Sequence, residues 1–126
     1  MDIIWISFYA VIAIHKRQIA EHGGSNGVRD KGLVLSALAR PKNLQAYSED
    51  ADIAALAASY AFGIAKNHPF IDGNERMALV IMRTFLLVNG YTFQATQEDK
   101  YTTFLKLADG SLSEAELVKW VRSKIV

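Results

Sequence analysis

The segment HPFIDGNER, residues 68 to 76, gathers an imidazole, a carboxylate, a carboxamide and a guanidinium just where a long apolar stretch begins. These side chains suit one kind of chemistry. His68 can take a proton from a hydroxyl near neutral pH. Asp72 is a hard oxygen ligand of the kind Mg²⁺ prefers, and Arg76 offers a fork of donors to phosphate oxygens. Asn74 can donate to phosphate or accept from the backbone. Asn74, Glu75 and Arg76 also open a helix, whose first N–H groups lack partners within it and sit at its positive end. Such a place binds phosphate. The set is what hydroxyl attack on a nucleotide phosphate requires.

Local conformation follows from the neighbours. Pro69 disfavours the α region in the residue before it, which predicts an extended backbone at His68. Phe70 reads as an apolar anchor, and Gly73 permits a sharp bend with positive φ. Each polar residue alone also has a plainer reading: Asp-Gly-Asn is a common turn, asparagine caps helices, and histidine or arginine can be structural. All of them in this order weigh towards a site, although residue types alone leave both readings open.

The elements that must position this loop read as helices joined by short connections. The first spans about Ser7 to His22 and closes at Gly23-Gly24. Its apolar start, IIWISFYAVIAI, follows Asp2 rather than a basic segment. It is also too short to span a bilayer, so it reads as a lead-in and a buried helix. Asp30 is placed to cap a short second helix through Ala39, and PKNLQAYSED reads as a longer connection. A third, alanine-rich helix covers about Asp52 to Lys66. The fourth, ERMALVIMRTFLLVN, has no clean polar face and reads as a central helix. A short extended piece near YTFQA precedes a fifth helix, about Gln97 to Ala108. Ser113 and Glu116 then stand at capping-box spacing before a sixth.

The other polar residues carry less. Arg83 lies two helical turns beyond Arg76 on nearly the same face, where it either extends a basic strip or joins a buried ion pair, the second being favoured. His15 reads as packed or surface, His22 as a cation at a helix end, and Arg29 with Asp30 as organisers of a loop and cap. Trp5 and Trp120 read as anchors of the chain ends. The three histidines lack metal-ligand spacing.

Totals agree with a compact all-α domain covering residues 1–126. Apolar residues make up 51% and charged residues 21%. A net charge of +1 gives no footprint for direct nucleic-acid or membrane binding. No cysteine is present, which excludes disulfides and thiolate chemistry and suits the cytoplasm.

HPFIDGNER resembles the signature loop of the Fic/Doc superfamily, His-x-Phe-x-Asp/Glu-x-Asn-x-Arg. The stretches AIHKRQIAEHGGSNGVRDKGLVLSALARP, ALAASYAFGIAKN and FLLVNGY resemble the corresponding parts of Doc-type (death-on-curing) toxins. The resemblance implies a Fic fold of about six helices with a buried helix after the loop. It makes His68 the catalytic base, Asp72 the Mg²⁺-associated acid, and Gly73, Asn74 and Arg76 the phosphate-binding positions. For the Doc branch it implies transfer of the γ-phosphate of ATP to a protein Ser/Thr hydroxyl, with elongation factor Tu as target, translation arrest as outcome, and a small antitoxin as partner. A target-guiding flap before the catalytic helices would map to Pro41–Ser48.

Two departures from the superfamily matter. AMP-transferring members carry a second arginine three residues after the first, where this chain has Leu79, which favours the Doc branch. Glu75 stands where AMP-transferring members have glycine and Doc-type members lysine. At about 6 Å and an effective dielectric near 20, one added negative charge opposes a phosphate charge by roughly 3 kcal/mol. The helix dipole favours Glu75 by only about 0.3–1 kcal/mol. Glu75 and Arg83 are therefore the uncertain modulators of the site. AMP transfer, or a catalytically impaired fold acting by binding, are the alternatives.

Overall fold

The computed structural model describes residues 2–126, which form six α-helices. They are α1 (Phe8–His22), α2 (Lys31–Tyr47), α3 (Ile53–Asn67), α4 (Asn74–Val88), α5 (Gln97–Ala108) and α6 (Glu114–Lys124). Extended pairing among the described residues is limited to the isolated bridges Val28–Phe70 and Phe93–Ile125. The all-α expectation holds. Among these residues, no helix is long and apolar enough to cross a membrane.

Side chains start most of the helices. Ser7, Asp30, Asp52, Thr96 and Ser113 each accept from a backbone N–H in the first turn, and Ser113 with Glu116 completes the expected capping box. Helix α4 is the exception. It begins from Gly73 in the left-handed region and has no side-chain cap.

Helix α3 lies deepest, packing against α2, α4 and α6 and touching α5. Ala54, Ala57, Ala58, Ala61 and Ala65 are buried along it. Their small volume permits the close approach expected from sequence, and Gly63 carries it furthest. A β-carbon there would lie 3.4 Å from the Ala37 Cα and 3.0 Å from the Arg40 Cδ on α2. Helix α4 buries Met77, Ala78, Ile81, Met82, Phe85 and Leu86 against this centre.

Helix α2 corrects the sequence reading. It does not stop at Ala39 but runs on through Pro41 to Tyr47. An interior proline costs a helix about 3 kcal/mol through its missing N–H and ring clash. Here Val34, Ala37, Leu38 and Pro41 form one buried face, so Pro41 contributes to packing what it withholds from hydrogen bonding. Arg40, just before it, is fixed by a two-pronged bond to Glu114 at 2.8 and 3.0 Å. Pro41–Ser48 is therefore mostly helix rather than the loop expected there.

The chain ends are tied down as their aromatic residues suggested. Trp5 stacks on Phe85 with centroids 5.9 Å apart. Asn89 grips both backbone groups of Ile4, and the Tyr60 hydroxyl accepts from the Ile6 N–H. Trp120 packs edge-on against Phe93 and Phe104 and donates to Asp99. The segment near Phe93 is extended, with Gln94 N–H donating to the Lys124 carbonyl at 2.8 Å.

Arg122 donates twice to Asp52, at 2.7 and 3.0 Å, joining α6 to the start of α3. The guanidinium holds the Asp52 carboxyl below its ordinary value of 3.8. A depressed carboxyl stabilises the fold above its unfolded value, and that stability disappears as pH falls through the folded one. Asp52→Asn keeps the cap but removes the charge. The variant should be less stable at pH 7 by about 0.2–1 kcal/mol, the range for an exposed pair. The gap should close below about pH 3.8. Urea midpoints of the two proteins at neutral and acid pH check this, and a gap that persists in acid would contradict it.

Candidate functional site

The loop leaving α3 is held from several sides. His68 is left-handed, with φ 48° and ψ 56°, and caps α3 through a bond from its N–H to the Ile64 carbonyl at 3.1 Å. The extended backbone expected there is not found. Pro69 does exclude continuation of the helix, but the chain turns left-handed because the last carbonyls of α3 are claimed from outside. Arg29 donates to the carbonyls of His68 and Asn67, both at 2.8 Å. A non-glycine residue in this region costs about 1–3 kcal/mol. Two hydrogen bonds from a charged donor, at about 1.5–3 kcal/mol each, offset it.

Beyond His68, the Pro69 carbonyl accepts from the N–H groups of Arg29 and Asp30, and the Ile71 N–H reaches the Gly27 carbonyl at 3.1 Å. Phe70 is buried, as expected of an anchor, and the His15 ring stacks on it at 4.1 Å. His15 is itself only 2% exposed and donates from Nε2 to the Asp72 carbonyl at 2.9 Å. Accepting that bond fixes a carbonyl beside Gly73, so a histidine read from sequence as merely packed proves to brace the loop.

Asn74 makes the tightest local clamp. Its side-chain oxygen accepts from the Phe70 N–H, and its amide donates to the Phe70 carbonyl, both at 2.9 Å. Both polar atoms of the side chain are thus engaged by the loop. The carboxylate of Asp72 accepts from the N–H of Gly73 at 2.9 Å and of Ser25 at 3.2 Å. Gly24 passes so close that an added β-carbon would meet the Asp72 Oδ2 at 2.7 Å. Its φ of +114° suits glycine in any case.

These residues border a cavity of about 820 Å³, a size typical of small-molecule sites. His68, Asp72, Gly73, Asn74, Glu75, Arg76 and Arg83 all line it, so the sequence-predicted set converges on one space. Arg83 is exposed and makes no ion pair among the described residues, contrary to the favoured reading. It extends the cationic wall begun by Arg76. Leu79 and Val80 make the apolar strip between the two arginines.

Sequence reasoning missed the far walls. Lys100 and Tyr101 come from α5, and Gln18 and His22 from α1. No spacing could have revealed them, since only helix packing brings α5 to the same cavity as the loop. The cavity's charged lining is Arg76, Arg83 and Lys100 against Asp72 and Glu75, a balance that favours an anion. No group of three potential metal ligands exists among the described residues. One exposed carboxylate, Asp72, fits Mg²⁺, which keeps waters and takes most other ligands from substrate phosphates.

A model of the Fic/DOC family matches residues 5–86, a span holding α1 to α3, most of α4 and the whole HPFIDGNER loop. The chain belongs to the Fic/DOC family. It is 35% identical over 85 residues to the "Protein kinase doc" of Escherichia phage P1, covering 68% of each chain. It is 40% identical over 77 residues to the "Toxin Doc" of Mycolicibacterium smegmatis (strain ATCC 700084 / mc(2)155), covering 58% of this chain and 57% of that protein. In this Fic/DOC chain, α5 and α6 lie beyond the span matched by the family model, yet α5 supplies one wall of the cavity.

The clamp at Phe70 separates structural from ligand-facing roles. Asn74→Ala should lose about 1–3 kcal/mol of stability, because it leaves two backbone groups without their partners. Arg76→Ala, at an exposed position, should stay within about 0.5 kcal/mol of the unaltered protein. Denaturant unfolding of both variants checks the contrast, and equal losses would contradict it.

Proposed function

We propose that the protein is a Doc-like toxin that transfers the γ-phosphate of ATP to a serine or threonine hydroxyl of a target protein. One observation carries the reading. His68 borders a cavity in which the uncapped start of α4 and the cations Arg76, Arg83 and Lys100 line the walls. The names "Protein kinase doc" and "Toxin Doc" of the two relatives point the same way. Leu79, apolar where AMP-transferring members of the superfamily carry a second arginine, favours the γ-phosphate over AMP transfer.

The step balances simply. The target hydroxyl oxygen bonds to the γ-phosphorus as the bond to the β,γ-bridging oxygen breaks, and ADP leaves. The hydroxyl proton passes to the His68 imidazole. The first N–H groups of α4 and the guanidinium of Arg76 hold phosphate oxygens. Asp72 would hold Mg²⁺, whose charge offsets that of the phosphates. Asn74 serves mainly by fixing the loop through Phe70. Elongation factor Tu is the proposed target, translation arrest in the cytoplasm the consequence, and a small antitoxin the proposed partner.

Glu75 supports a second reading. It is exposed, lines the same cavity and makes no ion pair among the described residues. A carboxylate there weakens phosphate binding, which would leave a fold that acts by binding alone.

The purified protein with Mg²⁺, cell extract and ATP labelled at the α- or the γ-phosphate distinguishes these readings. Label should arrive from the γ position only. His68→Ala should lower transfer by about 10²–10⁴-fold, the usual cost of a general base. Glu75→Lys should raise ATP affinity. Label from the α position would indicate AMP transfer. Silence in the unaltered protein, with Glu75→Lys active, would indicate the impaired fold.

A further inference from the structure

His68 borders two cavities. The second, of about 380 Å³, lies between the end of α3, the end of α5 and the turn Gly110–Ser113. Among the described residues, only Ala65, His68 and Ala108 line both spaces. The two differ in chemistry. The larger carries a cluster of cations. The smaller is walled by Phe62, Leu107 and Leu112, and its charged residues are Lys66 and Asp109, one of each sign.

We propose that this second cavity receives the acceptor: the polypeptide segment around the target hydroxyl, with an apolar side chain next to the Ser/Thr seated against Phe62, Leu107 and Leu112. The inference rests on the phosphotransfer reading and deepens it. Displacement at phosphorus needs the attacking oxygen opposite the leaving group, so the acceptor approaches from outside the space that holds the donor. The general base must reach that hydroxyl, and His68 is the titratable residue that faces both spaces.

Charge argues against a second polyanion in the smaller cavity. Lys66 and Asp109 together are neutral, and they match the carbonyl acceptors and N–H donors of a peptide backbone. The walls are also fixed in advance. Leu107 is 6% exposed, the Lys66 ammonium lies 5.8 Å from the Phe62 ring centre, and the Asp109 carboxylate accepts from the Ser111 N–H at 2.8 Å. A preformed pocket avoids an ordering cost on binding.

The test varies extract protein and γ-labelled ATP separately. The unaltered protein is compared with Leu112→Lys, which puts a charge into the apolar wall, and Lys66→Glu, which reverses an exposed charge. Each variant should raise the half-saturating extract concentration, for Leu112→Lys by about tenfold, the scale of one buried apolar side chain. Half-saturation by ATP should not move, nor should ATP binding measured without extract. Far-ultraviolet circular dichroism verifies folding, and Lys66→Glu keeps the test decisive if Leu112→Lys misfolds. Transfer with unshifted acceptor dependence in the folded variants, or a matching loss of ATP affinity, overturns the acceptor site alone. No transfer by either the unaltered protein or Glu75→Lys overturns the phosphotransfer reading, and the acceptor site falls with it.

Discussion

At His68 the chain has just finished α3 and must turn before a proline, and the left-handed backbone there is held mainly by the guanidinium of Arg29. The rest of the site depends on that turn. It sends Pro69 and Phe70 back against residues 27–30, which brings the α1–α2 connection across the loop. That connection then presents the Ser25 N–H to Asp72. A single strained residue would revert if its surroundings did not over-determine it. Here an arginine, a short backbone pairing, a stacked histidine and an asparagine clamp all require the same conformation.

Asn74 explains why the positive end of α4 is left open. At the other helix starts, a side chain before or at the boundary folds forward onto the first turn. Asn74 instead reaches back to Phe70, and Gly73, the residue in capping position, has no side chain to offer. The first N–H groups of α4 therefore keep their capacity for a ligand. The clamped loop and the uncapped start of α4 come from the same pair of residues: glycine at the boundary and asparagine one residue later.

Much of this was legible beforehand because it is local. Caps, glycine stops and the apolar runs of α1, α3, α4, α5 and α6 follow from short-range chemistry, and the loop's polar set is contiguous in sequence. What escaped is set by tertiary contact. Pro41 stays helical because its helix face is buried. His68 turns left-handed because of a residue 39 positions away. Lys100 and Tyr101 join the cavity only through the packing of α5. Arg83 had two readings on one helix face, and only the absence of a partner among the described residues decides between them.

The α5 wall bears directly on Glu75. Considered within the loop, a carboxylate where Doc-type members carry lysine looks like a two-unit loss of favourable charge. The field at a bound phosphate, however, sums over every wall of a cavity, and low-dielectric sides concentrate it. Lys100 lines the same cavity from α5, and Arg83 lines it from farther along α4. A cation on another element supplies attraction of the same sign, with a strength set by distance rather than by sequence position. The penalty at Glu75 is thus one contribution within a net cationic lining. It lowers the net formal charge of the lining without reversing its sign.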